Sequence, residues 1–246
     1  MARRDTKAVE KRGKTHLLWA QDILPECPDW LFQPDQVIQK EDSRVVHSGR
    51  GAAYFFRLGH RALALRHYRR GGIIARLIHD RYLWTGLHQT RPFREWHLLR
   101  QLALRGLPVP KPVAARVIRS GLTYQGDLIT ELIPDATPLD ECLANGRVDA
   151  ALWHQVGATI ALFHSHGAWH PDLNVRNILI QHDGSVWLID WDKGRVLNPK
   201  RSRPFRHNLD RLYRSLNKWP EIQNQGRAGW ADLLNGYEEQ TKGHGE

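Results

Sequence analysis

Apolar residues change their spacing about halfway along the chain, and that change gives the first view of its organisation. From position 45 short apolar runs are punctuated by glycine, and the runs 52–58 and 61–68, separated by Gly59-His60, predict a β-hairpin. In the next stretch Ile73, Ile74, Leu77, Ile78, Tyr82 and Leu83 recur at helical spacing with Arg76, His79 and Arg81 interleaved, which predicts an amphipathic helix with a basic face. A second helix is predicted at 92–104, where Pro92 suits the first turn, Phe93, Trp96, Leu99, Leu102 and Leu104 follow at mostly helical spacing, and Gly106 ends it. The segment 107–112 (LPVPKP) cannot be a helix interior, and 113–119 with 124–132 predicts another strand pair turned at Ser120-Gly121. Beyond Pro138 the pattern is mainly helical, with helices predicted at 139–144, 149–165, 205–218 and 228–240. Two short apolar runs, 178–181 and 186–189, interrupt them and are joined at Asp183-Gly184, a strong hairpin-turn pair. Residues 1–14 are polar and basic with little periodicity and read as a flexible or loosely helical tail. The expected divisions are a tail and lead-in over 1–44, a strand-rich domain over 45–133 and a helical domain over 134–246.

Composition narrows the class. Hydrophobic residues at 41% and charged residues at 25% match folded globular chains rather than disordered or fibrous ones. Two cysteines, Cys27 and Cys142, exclude a disulfide framework or a multi-cysteine metal site, and suit a reducing cytoplasm. Neither an apolar run long enough to span a bilayer nor a signal-type segment after the basic N-terminus is present, so export by that route and an integral location are not expected. Lys and Arg number 36 against 26 Asp and Glu, a formal +10 that could serve nucleic acid, an anionic membrane or solubility. The 14 histidines would raise it as pH falls through about 6.5, and the ten tryptophans suit cores or lipid–water boundaries.

Chemistry enters at His170-Pro171-Asp172-Leu173-Asn174-Val175-Arg176-Asn177, which matches the kinase catalytic-loop pattern H-x-D-L-x-x-x-N. The predicted hairpin follows, and at its end stand Asp190-Trp191-Asp192, with Asp190 thirteen positions after Asn177. Phosphoryl transfer needs a carboxylate to orient and deprotonate the attacking hydroxyl, the role open to Asp172. It also needs oxygen ligands to hold Mg²⁺ on the nucleotide phosphates, the role open to Asn177 and Asp190. Asp192 could reach a metal or cap the next segment.

With these residues the chain resembles the protein-kinase-like superfamily, which implies an α+β fold of two lobes, a strand-rich N-lobe and a mostly helical C-lobe. In that resemblance the Gly-rich loop falls at 48–55, where Gly49 and Gly51 would let backbone amides approach phosphates and Tyr54 replaces the third glycine. The strand lysine of V-A-I-K is replaced by Arg66 in Leu63-Ala64-Leu65-Arg66, which would pair with phosphates and with the helix glutamate Glu95. Residues 128–134 resemble the hinge, where backbone groups of Glu131 and Ile133 would meet adenine. His170 takes the position that braces the loop rather than one that moves a proton. The lysine that protein kinases place two residues after the catalytic aspartate is Asn174 here, and no A-P-E motif follows Asp190, which argues against a protein substrate.

The flanking text is more particular. Residues 65–72 (LRHYRRGG), 80–84 (DRYLW), 170–174 (HPDLN), 189–195 (IDWDKGR) and 208–216 (NLDRLYRSL) together closely resemble the 3-deoxy-D-manno-octulosonic acid (Kdo) kinases, relatives of the heptose kinases that decorate lipopolysaccharide. The resemblance covers about 45–220, with Trp191 where a Phe is more usual. It implies ATP- and Mg²⁺-dependent phosphorylation of a Kdo sugar, at its 4-hydroxyl, on a lipid A precursor at the cytoplasmic face of the bacterial inner membrane. An anionic glycolipid and a membrane surface would also give the basic charge a partner, with Arg69, Arg70, Arg76, Arg81, Arg91, Arg94 and Trp84 forming a candidate contact region. The bland counterpart is a helix with a solvated basic side. Two further readings stand beside the main one: a kinase of the same superfamily acting on heptose or another small molecule, and a pseudokinase adaptor binding anionic lipid. A nucleic-acid partner is not expected, since it would rest on charge alone.

Overall fold

The computed structural model describes residues 6–40, 42–48, 51–68, 80–200 and 202–243, and the chain divides into two units. One runs to Arg100 and resumes over Pro110–Leu132; the other comprises Gln101–Val109 and the chain from Ile133 onward.

The first unit is built on an antiparallel sheet of β1 (Lys7–Arg12), β2 (Thr15–Ala20), β3 (Arg44–Ser48), β4 (Gly51–Leu58), β5 (Arg61–His67), β6 (Tyr82–Leu83), β7 (Pro112–Ser120) and β8 (Thr123–Glu131). The spatial order is β1-β2-β7-β8-β5-β4-β3, and β6 also pairs with β8. The predicted hairpins β4–β5 and β7–β8 are both present, with registers Phe55↔Ala64 and Val117↔Gly126. The short helix α1 (Pro34–Val37) and the turn before it bring Leu31, Phe32 and Val37 onto Leu17, Phe56, Leu63, Leu65, Val113 and Ile129 to form the core on one face of this sheet.

The sequence-based expectation fails at the N-terminus. Residues 7–12 are not a flexible tail but the edge strand β1, and the supposed lead-in contributes β2, whose Leu17, Leu18 and Ala20 are fully buried. The two strands fold back across Gly13, whose φ of +59° lies in the left-handed region that favours glycine. The period-two pattern of β1 is hidden because its inner-facing positions are Ala8, Glu10 and Arg12, with Arg12 bonded to Glu10 and Asp29 at 2.8 Å each. Charged residues on a sheet edge discourage further strand pairing, which fits the outermost place of β1. The helix predicted over 73–83 is also corrected at its end: Tyr82 and Leu83 are strand β6, paired with Tyr124 and Thr123, while 69–79 lie outside the described residues.

Helix α2 (Arg91–Leu104) forms where predicted. In the second unit, α3 (Leu139–Ala144) and α4 (Ala150–Ser165) follow, with the Asp149 side chain capping α4 by accepting the Leu152 N–H at 2.8 Å. Strands β9 (Ala136–Pro138), β11 (Ile178–Gln181) and β12 (Val186–Leu188) make a small sheet, and β10 (Ala168–Trp169) pairs with β13 (Arg195–Val196). The chain then runs through α5 (Ser202–Leu216), α6 (Pro220–Ala228) and α7 (Trp230–Gly243). The predicted helix 228–240 is α7, and α6 before it is not predicted; the two are parted at Gly229, where a Cβ would stand 1.9 Å from the Trp153 indole nitrogen. Helices α4 and α7 touch backbone to backbone: a Cβ on Gly157 would lie 1.9 Å from the Leu233 carbonyl oxygen, and one on Gly236 2.0 Å from that of His154. Among the described residues no helix is long and apolar enough to cross a membrane.

Candidate active site

The loop between β10 and β11 is organised by His170, which is buried. Its Nδ1 accepts the Asp172 N–H at 3.1 Å, so the ring proton sits on Nε2 and is donated to the Ile189 carbonyl at 2.9 Å. Burial lowers the imidazole pKa, in keeping with a neutral ring, and the edge of Trp191 packs 4.7 Å away, centroid to centroid. His170 therefore ties the start of the loop to the residue just before Asp190.

Asp172 is held by its backbone and by one carboxylate oxygen. Its carbonyl accepts the side-chain amides of Asn174 at 2.9 Å and Asn177 at 2.8 Å. Asn174 also accepts the Arg176 N–H at 2.9 Å, so both ends of its side chain are spent on loop structure. With Nδ2 of Asn177 committed, its Oδ1 has no hydrogen-bond partner among the described residues and is the atom available to a hard cation. The Ile189 N–H donates to the Asn177 carbonyl at 3.0 Å, which fixes the strand leading into Asp190 against the loop. Asp190 is exposed and has φ +61°, a backbone state that costs non-glycine residues on the order of 1 kcal/mol and recurs at functional sites. An amide oxygen and an exposed carboxylate fit the oxygen preference of Mg²⁺.

Helix α5 supplies a second layer that motif reading does not reveal. Asn208, buried, donates to the His170 carbonyl at 2.6 Å, and its Oδ1 accepts the His170 N–H at 3.2 Å. The same oxygen lies 3.3 Å from Nε2 of His164, a histidine whose pKa burial lowers to about 4. Ser215 accepts the Val175 N–H at 3.2 Å, and Arg211 donates from Nε at 2.8 Å and from Nη2 to the Asp172 Oδ1. The spacing 208, 211, 215 puts these polar residues on one side of α5, next to the apolar stripe of Leu212 and Leu216; that interleaving is the signal available in the sequence.

The remaining candidates lie in the first unit, apart from Ile133. Arg66 on β5 donates from Nη2 to Oε1 of Glu95 on α2, and the Tyr68 hydroxyl donates to Oε2, so the buried carboxylate is held at both oxygens. Burial, followed by the Glu95 charge, keeps the Tyr68 phenol protonated, and the Arg66 guanidinium also packs 5.3 Å from the Tyr68 ring centre. Arg66 thus keeps a third of its side chain exposed while its partner is buried, which suits a cation aimed by a fixed counter-charge. Glu131 pairs with Arg61 and with Lys111, and its N–H donates to the Lys111 carbonyl at 2.8 Å; Ile133 is buried. Gly51 opens β4 opposite Ser48, whereas Gly49, Arg69, Arg70 and Arg76 lie outside the described residues. Arg81 is exposed, and Trp84 is half-buried, stacked on His16 at 5.9 Å with the Arg119 guanidinium 4.7 Å from its ring centre.

Comparison with known proteins adds an independent line. Over 208 residues, 84% of this chain and 87% of the relative, it is 40% identical to a 3-deoxy-D-manno-octulosonic acid kinase of Vibrio parahaemolyticus. A protein of the same name from Stenotrophomonas maltophilia strain K279a is 41% identical over 214 residues, 87% of this chain and 84% of the relative. Among solved structures, one titled "WaaP in complex with acyl carrier protein" superposes over 98% of this chain and all of its own with a TM-score of 0.54 at 15% identity, a likeness of fold. The profile described as "Lipopolysaccharide kinase (Kdo/WaaP) family" matches residues 35–237, a span that takes in Arg66, Glu95, the 170–177 loop and α5. The chain belongs to that family.

Proposed function

We propose that this chain transfers the γ-phosphoryl group of ATP to the 4-hydroxyl of a Kdo sugar carried on a lipid A precursor, in lipopolysaccharide core biosynthesis. The observation that carries the reading is the state of Asp172. Arg211 occupies only its Oδ1, while Oδ2 of the half-exposed side chain has no partner among the described residues. That oxygen would accept a hydroxyl proton as the sugar oxygen attacks. Asn177 through Oδ1 and Asp190 through its carboxylate would hold Mg²⁺, which when bound neutralises phosphate charge. Arg66, aimed by Glu95, adds a fixed cation for the nucleotide phosphates.

A lipid-borne acceptor calls for an enzyme that works at the cytoplasmic face of the inner membrane as a peripheral protein. Support comes from the β6–β8 edge, where Leu83 and Leu122 are 68% and 80% exposed and adjoin exposed Arg81 and Arg119. An apolar tip with a basic rim suits an anionic bilayer surface. Cosedimentation with anionic vesicles at low salt tests this, and binding left unchanged by Leu83→Asn with Leu122→Asn sinks the membrane contact at that edge.

Incubation with labelled ATP, Mg²⁺ and a Kdo-bearing lipid A precursor tests the activity, and mass spectrometry with ³¹P NMR locates the phosphate. The wild type is expected to label the Kdo 4-hydroxyl and Asp172→Ala to lose at least about a thousandfold in kcat. Robust transfer by the variant overturns the role of Asp172, and labelling of heptose but not Kdo overturns the acceptor.

A further inference from the structure

Helix α5 has a second side that the catalytic loop does not use. Residues 193–218 hold nine Lys or Arg against Asp210 alone, a net +8 within a chain of net +10. The charge is therefore concentrated around α5, the helix that builds the loop. Its inner face is formed by Phe205, Asn208, Leu212 and Leu216, all buried. At 100° per residue, Arg203, Arg206, His207 and Arg214 fall on the opposite side with Arg211 at its border, and all are exposed. Arg203, Arg206 and Arg214 have no ion pair or side-chain hydrogen bond among the described residues, unlike Arg12, Arg57, Arg100, Arg116 and Arg176, which are bonded to carboxylates. Holding several like charges together without counter-ions disfavours the fold and favours an anionic ligand.

Arg211 is the link between this face and the chemistry, since it is bonded to Asp172. We infer that the solvent face of α5 is the acceptor platform: Arg203, Arg206 and Arg214 bind anionic groups of the glycolipid headgroup and bring its hydroxyl to Asp172 beside Arg211. The inference rests on the proposed activity and adds the residues that select the acceptor. At 1.5 Å per residue, Arg214, Arg206 and Arg203 stand about 5, 8 and 12 Å along the axis from Arg211. One sugar acid cannot reach all of them, so the platform reads anionic groups carried beyond the sugar that receives the phosphate.

The test compares the full chain with Arg203→Ala/Arg206→Ala/Arg214→Ala and with Lys11→Ala/Lys14→Ala/Lys242→Ala, a control that removes the same charge from other exposed positions. With deacylated Kdo-bearing acceptor at 0.15 M salt, the α5 variant is expected to raise acceptor KM at least about tenfold. KM for ATP, kcat and melting temperature should stay within about twofold or a few degrees of wild type, and the control should behave as wild type. Acceptor KM within twofold of wild type overturns the platform, as does an equal rise in the control. Weaker binding to vesicles of phosphatidylglycerol and phosphatidylethanolamine with unchanged use of deacylated acceptor also overturns it, because the face then serves general adsorption. If the wild type transfers nothing to the acceptor, the proposed activity fails. The platform is then decided by direct titration of the same deacylated glycolipid: tenfold weaker binding to the α5 variant upholds it and equal binding overturns it.

Discussion

Asn208→Leu isolates the contribution of α5 to the catalytic loop, because it keeps side-chain volume and removes hydrogen bonding. Three buried groups lose their partner: the His170 carbonyl at 2.6 Å, the His170 N–H at 3.2 Å and Nε2 of His164 at 3.3 Å. An orphaned buried polar group costs about 1–3 kcal/mol. Taking about 2 for the short bond and about 1 for each longer one gives a loss of about 4 kcal/mol, a large part of the 5–15 kcal/mol that usually holds a domain together. With a urea m-value of about 2 kcal/mol/M, the midpoint should fall by about 2 M. Tryptophan fluorescence and circular dichroism along a urea titration at pH 7 measure it. The double variant Asn208→Leu/His164→Phe should be about as stable as the single one, since the Nε2 orphan is gone and the ring still packs against Phe205, 4.6 Å away, while the Tyr237 hydroxyl loses its contact with Nδ1 at 2.8 Å. A loss below about 1 kcal/mol for Asn208→Leu, or a further loss of about 2 kcal/mol in the double variant, would refute the reasoning.

Three further outcomes are expected. Arg66→Ala should lower kcat/KM for ATP by about 10²- to 10³-fold in steady-state assays and destabilise the first unit by removing a charged partner of the buried Glu95, while Arg66→Lys should restore much of both; an Ala variant with wild-type kinetics removes the assignment. Burial lowers the His164 pKa to about 4 in the fold against the ordinary 6.5 of an exposed imidazole, so the unfolded chain binds the proton first as pH falls. Stability should therefore drop between pH 6.5 and 4 by on the order of 3 kcal/mol and level off below, and His164→Phe should flatten that limb in urea titrations across pH. Gly157→Ala should cost about 2–3 kcal/mol in thermal denaturation, since its Cβ meets the Leu233 carbonyl at 1.9 Å and α4 and α7 must separate; a melting temperature equal to wild type contradicts the close crossing.

The parts legible in the sequence are those whose partners are near in the chain or whose periodicity is strong. His170, Asp172, Asn177 and Asp190 fall within twenty-one residues, and the hairpin between Asn177 and Asp190 has a clear turn at Asp183-Gly184, so motif and local structure could be read together. Arg66 and Glu95 stand twenty-nine residues apart and are paired through the superfamily resemblance rather than through spacing. Strand β1 is illegible because two of its three half-buried positions, Glu10 and Arg12, are charged, and Arg12 is paired with Glu10 and with Asp29, a partner beyond the next strand. Helix α6 is illegible because it has only Ile222 and Gly226 buried, too few to set a period.

Helix α5 shows why charge is the least readable feature. Its periodicity is plain, yet Asn208 and Ser215 look like solvent residues until the loop they hold is in place. A helix must satisfy the loop's backbone polar groups with its buried side, because those groups have no water to turn to. That requirement fixes the rotation of α5, and the rotation fixes what faces outward. Arg211 falls at the border, close enough to bond Asp172, and the unpaired arginines follow on the outer surface. The formal +10 consequently has a direction as well as a size: a net +8 lies over residues 193–218, around the helix that holds the Asp172 carboxylate. A nucleic-acid or general membrane role would leave that coincidence without a cause, whereas an anionic acceptor delivered to Asp172 requires both properties of one helix.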